Sequence, residues 1–169
     1  MTSTGALIMA FFATVWWVVG LRAAGHGPAL VFLVPLGVAA GLGLVFAARR
    51  PQREPASRAI GPAEEARRGR LVGWASAAEG VGIFVAANVL VNTGHRDALA
   101  PVIALIVGAH FVPLARGLPA RAYYVTAGAL VGLGAVGLVI EDVPTRLTLV
   151  SAGAAAILWL TAWSALSWR

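Results

Sequence analysis

Residues 71–92, LVGWASAAEGVGIFVAANVLVN, form an apolar run in which Glu79 is the only charged side chain. A helix needs about 20 mostly apolar residues to cross the hydrocarbon core of a bilayer. The run therefore predicts a membrane-spanning helix. Its carboxyl group then lies inside the bilayer, where an ionised carboxylate costs about 2.5–3.5 kcal/mol. Such a group is expected to be protonated or paired, and it is a candidate for function.

The rest of the chain repeats this pattern. Of its 169 residues, 59% are hydrophobic and 12% are charged, whereas about a quarter are charged in soluble domains. We predict an all-α integral membrane bundle, a single domain over residues 1–169 with six transmembrane helices. The six predicted spans are residues 5–21, 28–48, 71–92, 98–115, 122–140 and 147–167. The first could instead be a signal peptide, but MTSTG carries no basic residue before it.

The arginines predict the orientation. Ten lie on one side of the predicted spans and three, Arg22, Arg96 and Arg146, on the other. The positive-inside rule then places both termini in the cytoplasm of a protein that crosses the inner (plasma) membrane several times. The only long connection is the Arg-rich cytoplasmic loop 49–70. This loop touches anionic headgroups, covers a cytoplasmic-side site, or grips an anionic substrate. A short helix after Pro62 is expected, with Glu64 facing Arg68.

Several kinds of chemistry are excluded. The chain has no cysteine and no lysine, so disulfides, thiolate ligands, Schiff bases and a Walker phosphate loop are ruled out. His26, His95 and His110 lack the spacing of metal ligands, so neither a metal site nor a cofactor is expected. The arginines flank apolar runs, so the lipid bilayer is the expected partner, and nucleic acid is not.

Glu79 and His110 are the candidate catalytic residues. At about 1.5 Å per residue, Glu79 lies about 12 Å from the cytoplasmic end of its helix, and His110 about 8 Å from that end of the next. The two helices are consecutive and antiparallel, so the side chains are expected at similar depth. The alternative is a purely structural hydrogen bond.

Apolar and aromatic side chains near this depth are the candidate substrate-binding residues, because aromatic faces stabilise cations. They are Trp74, Ile83, Phe84, Phe111, Tyr123, Tyr124, Trp159 and Trp163. Packing in the bundle is the alternative role for most of them.

A second polar group is expected at the outer ends of the helices, with His95, Asp97, Glu141 and Asp142. Asp97 is expected to cap the fourth span, and Glu141 and Asp142 to pair with Arg146. Two glycine pairs spaced by four, Gly37 with Gly41 and Gly128 with Gly132, predict close helix packing.

Four features of residues 71–135 resemble small six-helix bacterial membrane proteins, some of which act as membrane-bound terpene cyclases of meroterpenoid pathways. The features are Glu79–Gly80, Gly94–His95, the block GAHFVPLA at 108–115, and Tyr123–Tyr124. The resemblance implies that a carboxylic acid protonates a prenyl alkene or epoxide and that ring closure follows. Fungal membrane cyclases have more helices and an acidic pair, so Glu141 or Asp142 would have to be the second acid here.

The hypothesis is thus a metal-independent membrane enzyme, of isomerase or lyase type, that cyclises an apolar prenylated small molecule. Glu79 is its acid, and aromatic side chains shield the carbocation. Two alternatives stay open: a small proton-coupled transporter, and a structural membrane subunit without catalysis.

Overall fold

The computed structural model describes residues 3–23, 25, 37, 43, 61–118 and 121–167, and this part of the chain is helical without any strand. The helices are α1 (Ser3–Ala23), α2 (Pro62–Asn92), α3 (Leu99–Gly117), α4 (Ala122–Val139) and α5 (Val143–Ser167). A single 3-10 turn, Arg96–Ala98, precedes α3. The all-helical prediction is confirmed.

Four of these helices, α2 to α5, are long and apolar enough to cross a membrane. Their number indicates a membrane protein that crosses the bilayer several times. The apolar part of α1, Ile8–Ala23, is shorter. The predicted span 28–48 lies outside the described residues except for Gly37 and Gly43, and so does the loop up to residue 60. The count of six helices and the cytoplasmic termini stay predictions.

The start of α2 differs from the prediction. The helix begins at Pro62, with Pro at its first position after an extended Gly61, and runs for 31 residues without a break. The expected short helix is therefore the first part of the third span. Glu64 pairs with Arg68 at 2.8 Å, as expected, and also with Arg67 at 2.7 Å. These pairs, together with the good helix formers Ala and Glu, extend the helix beyond its apolar part.

A glycine ends α2. Gly94 has φ 82°, a left-handed conformation that favours glycine. The His95 N–H donates to the Leu90 carbonyl at 2.8 Å, and the Gly94 N–H to the Val91 carbonyl at 3.4 Å. This is a Schellman motif, which satisfies the last carbonyls of the helix. The chain then turns back, so α2 and α3 are antiparallel neighbours.

The expected cap of α3 is wrong. Its N-cap is Ala98, which makes no side-chain capping bond, and Asp97 lies in the 3-10 turn just before it. The Asp97 carboxylate binds Arg146 instead.

Small residues set the closest helix contacts, but they are not all the predicted ones. A Cβ at Gly108 would lie 2.8 Å from the Val131 side chain, and one at Gly134 would lie 2.7 Å from the Pro101 carbonyl. These two positions bring α3 and α4 together. Gly128, by contrast, has no atom of the described residues within 4 Å of an added Cβ.

An added Cβ at Gly132 also has no described atom within 4 Å. The prediction that Gly128 and Gly132 pack closely against another helix is therefore wrong. Both glycines lie on the outward face of α4. Of the other predicted pair, Gly37 is buried, and an added Cβ would overlap the Trp17 indole. Gly41 lies outside the described residues.

Two helix pairs make up most of the described bundle: α1 packs on α5, and α3 packs on α4. An added Cβ at Gly20 of α1 would lie 3.0 Å from the Ser151 Cβ of α5, so the end of α1 meets the start of α5. Helix α2 packs mainly on α3, and Ala75 is its only buried residue. Most of the surface of α2 therefore faces outward.

Candidate functional site

Glu79 and His110 lie together at the contact between α2 and α3. The Oε2 atom of Glu79 is 3.6 Å from the Nδ1 atom of His110. Their side chains are 23% and 10% exposed. The separation is within reach of an ion pair but beyond a hydrogen bond. The structure therefore brings the two candidate catalytic residues face to face, as their expected depths require.

Small residues on α2 give Glu79 its position. Ala75, one turn before it, is buried, and Gly82 follows three residues later. A Cβ at Gly82 would lie 3.3 Å from the Ile106 side chain, which is one turn before His110 on α3. Residues 82 and 79 of one helix thus face residues 106 and 110 of the other, as antiparallel packing demands. The close approach at Gly82 lets the longer side chains of Glu79 and His110 meet.

Two buried aromatic rings continue from His110 into the bundle. The Phe111 ring stands edge-on to His110, with centroids 5.6 Å apart, and the Tyr123 ring of α4 lies 5.4 Å from Phe111. Phe111 and Tyr123 are each 4% exposed. They place an apolar, aromatic wall next to the histidine.

The pair has an unused polar atom. The Nδ1 atom of His110 is buried and has no hydrogen-bond partner among the described residues. An imidazole nitrogen in this position can either take up or release a proton, depending on the tautomer. Because the carboxyl group of Glu79 is the nearest acidic group to it, proton exchange between the two side chains is chemically available.

Of the other predicted substrate-binding residues, Ile83 lies one turn after Glu79 on α2 and is half-buried. Trp74, Phe84, Tyr124 and Trp163 are exposed on the outer surface of the helices. Because α2 packs mainly on α3, its other faces, which carry Trp74 and Phe84, lie on the surface of the described bundle.

Trp159 lies inside the bundle, where its ring centroid is 5.5 Å from that of Trp17 on α1. Its indole nitrogen is buried without a hydrogen-bond partner in the described part of the chain. Trp17 is not among the predicted substrate-binding residues, although it lies next to Trp16 in the middle of an apolar helix.

The outer polar group is a separate cluster built around Arg146, which is 9% exposed. The Arg146 guanidinium donates to the Asp97 carboxylate at 2.5 Å and to the Ile140 carbonyl at 2.7 Å. The expected pairing of Arg146 with Glu141 or Asp142 is therefore wrong. Asp142 instead accepts the Thr145 backbone N–H at 2.9 Å, which caps α5. Hydrogen bonds from the Thr145 side chain, and then from its backbone N–H, lower the pKa of the Asp142 carboxyl.

Glu141 is exposed, and it lies with Asp142 at the end of the bundle opposite the start of α2. Glu79 is 13 residues from the last residue of α2, so about 20 Å of helix separates it from this end. The structure does not bring the two candidate second acids to Glu79. His95, also at this end, has its Nδ1 3.2 Å from the Thr93 hydroxyl.

Among the described residues, no three or more histidine, aspartate or glutamate side chains lie close enough together to hold a metal ion. No family model, no curated protein and no solved structure matches the chain.

Proposed function

We propose that the protein is a membrane-embedded acid catalyst that cyclises an apolar prenylated molecule, with Glu79 as the proton donor. The observation that carries the proposal is the 3.6 Å approach of Glu79 and His110 at the contact between two membrane-spanning helices. Glu79 is the only acidic residue between positions 66 and 96, and its carboxyl group remains partly accessible. A substrate that partitions into the bilayer can reach it from the open side of α2.

The reaction needs no oxidant or other co-reactant. The Glu79 carboxyl proton adds to a terminal alkene carbon or an epoxide oxygen of the prenyl chain, which creates a carbocation. The electron pair of the next alkene closes the ring, and loss of a proton from the cyclised cation ends the reaction. The product is an isomer of the substrate. His110, directly or through water, takes up the proton that the cyclised cation loses and returns it to Glu79.

Two neighbouring features support this chemistry. The Phe111 ring lies beside His110 and the Tyr123 ring lies beside Phe111, and aromatic faces stabilise cations. The surrounding residues of α2 are small, which leaves room for a ligand next to the carboxyl group. A dry site also limits capture of the carbocation by water.

The experiment is conversion of linear prenylated phenols and their terminal epoxides by membranes that contain the protein. We expect a cyclic isomer, and we expect Glu79→Gln to reduce its formation by at least about a hundredfold, the usual contribution of a general acid. Glu65→Gln is the matched control, because it makes the same change at an exposed site on the same helix. Full activity of the Glu79 variant would overturn the proposal.

Proton-coupled transport is the second candidate, and the unpartnered Nδ1 atom of His110 favours it, since such a pair can relay protons. Proton flux in liposomes that is lost in Glu79→Gln, with no cyclised product from the unaltered protein, would assign transport instead. A structural subunit without catalysis predicts a third result. Glu79→Leu would then raise stability, and neither product nor flux would be observed.

A further inference from the structure

The two ends of the described bundle differ in charge. The end with the start of α2 carries five arginines and two glutamates: Arg67, Arg68, Arg70, Arg116, Arg121, Glu64 and Glu65. The opposite end carries three arginines and three acidic residues: Arg22, Arg96, Arg146, Asp97, Glu141 and Asp142. Only the first end has an excess of positive charge within the described residues.

The ion pairs show which of these arginines have a counter-charge. Glu64 binds both Arg67 and Arg68. Arg70, Arg116 and Arg121 form no ion pair with any carboxylate of the described residues, and all three are exposed.

Helix packing places two of these arginines at one level. The Leu71 side chain lies directly against Gly117, so closely that an added Cβ there would overlap it. Arg70 and Arg116 are the sequence neighbours of these two contact residues. The contact between α2 and α3 therefore places at one level of the bundle two exposed arginines that pair with no described carboxylate, where an anion bound by both would be stabilised.

The apolar surface above these charges suits a lipid chain. Trp74 lies one helical turn from Arg70 on the same side of α2, and it is 76% exposed. Exposed tryptophan next to arginine is typical of the level at which headgroups meet acyl chains. Guanidinium groups bind phosphate through paired, directional hydrogen bonds, and every basic residue of this chain is arginine.

We propose that Arg70 and Arg116 bind the phosphate of an anionic phospholipid whose acyl chain lies along Trp74 and the outward face of α2. This lipid site is independent of the reaction at Glu79. It requires a negative headgroup and an attached apolar chain, because the charged and apolar surfaces adjoin.

Trp74 provides the measurement. The protein is reconstituted in phosphatidylcholine vesicles that contain increasing amounts of brominated phosphatidylglycerol, or of brominated phosphatidylcholine as the neutral comparison. The quenching due to Trp74 is the difference between the unaltered chain and Trp74→Phe. We expect selective quenching by the anionic lipid, and an apparent affinity about fivefold lower for each of Arg70→Gln and Arg116→Gln.

Arg22→Gln and Arg96→Gln are matched controls, since they remove exposed arginines at the opposite end and should leave the quenching unchanged. Equal quenching by both lipids, or an equal loss in the control variants, would overturn the proposal. Complete displacement by inorganic phosphate would also overturn it, because the acyl chain would then add nothing. If one of the two arginine variants fails to insert, the other decides the result.

Discussion

Arg146, near the start of α5, donates a hydrogen bond to Asp97, which lies just before α3 and 49 residues earlier in the chain. The Arg146 side chain is 10% exposed and that of Asp97 is 41% exposed. The arginine is therefore mostly buried, and the aspartate is partly exposed. A second bond to the Ile140 carbonyl ties the end of α4 into the same cluster. One guanidinium group therefore joins α5 to the residue that follows α4 and to the turn that precedes α3, at the end of the bundle opposite the start of α2.

We expect Asp97→Asn to lower the Tm of the protein in detergent micelles, because it leaves an enclosed guanidinium without its counter-charge. Glu141→Gln is the matched control, since Glu141 is exposed at the same end. Thermal unfolding of both variants provides the measurement. An equal change in the two would show that Asp97 contributes only to the general surface charge.

Gly108→Ala should destabilise the contact between α3 and α4. The added Cβ would lie 2.8 Å from the Val131 side chain, 2.9 Å from the Val131 backbone nitrogen and 3.1 Å from the Ala127 carbonyl. Because two of these atoms belong to the backbone, the helices would have to move apart, at a cost of about 1–3 kcal/mol. Gly128→Ala is the control and should leave stability unchanged or raise it slightly, since nothing lies within 4 Å.

Reversible unfolding in mixed micelles, monitored by circular dichroism, would measure the free energy of both glycine variants. A similar loss at positions 108 and 128 would contradict the packing described for α4.

Thr126 of α4 and Thr161 of α5 should be energetically coupled, because their buried hydroxyl groups are 2.7 Å apart. Each hydroxyl also lies within hydrogen-bond distance of a carbonyl in its own helix, that of Ala122 or of Ile157. Two oxygen atoms 2.7 Å apart need a proton between them, so one threonine donates to the other and gives up the bond to its own helix carbonyl. A double-mutant cycle with Thr126→Val and Thr161→Val should give a coupling of about 0.6 kcal/mol, typical of polar contacts between membrane helices. Additive effects would show that the bond adds no stability.

The start of α2 should respond to acid. Hydrogen bonds from Arg67, and then from Arg68, lower the pKa of Glu64 from 4.5 to about 2. Because the pKa in the folded state lies below the unfolded value, the stabilisation by these pairs is complete above pH 4.5 and is lost as the pH falls toward 2. An NMR titration of the Glu64 carboxyl carbon would measure this pKa. We expect Arg67→Gln to raise it toward 4.5, whereas an unchanged titration would show that the pair does not persist in solution.

The sequence predicted features that depend on a single helix or on consecutive helices. Apolar length alone indicated α2 to α5, and rise per residue placed Glu79 level with His110. The sequence could not predict contacts between side chains of different helices where these depend on which helices become neighbours in the bundle. Gly128 has the spacing of a packing glycine, yet Gly134 makes the contact, because the rotation of α4 is set by α3. For the same reason the sequence did not predict that Arg146 would pair with Asp97.

The aromatic residues show a similar limit of sequence patterns. Trp74 and Phe111 both lie in apolar runs, yet Trp74 is 76% exposed and Phe111 is 4% exposed. Composition does not separate a side chain that faces lipid from one that faces a neighbouring helix, because both environments are apolar.

The meeting of Glu79 with His110 also fixes the register of α2. Helix α2 has mostly small side chains toward α3, which would allow it to slide or turn at little cost. A shift by one residue moves the helix by about 1.5 Å and turns it by about 100°, which would place Ala78 or Gly80 opposite the histidine and direct the carboxyl group elsewhere in the bilayer. The single acidic side chain in the apolar part of α2, residues 71–92, thereby selects one alignment among those that the small side chains would permit.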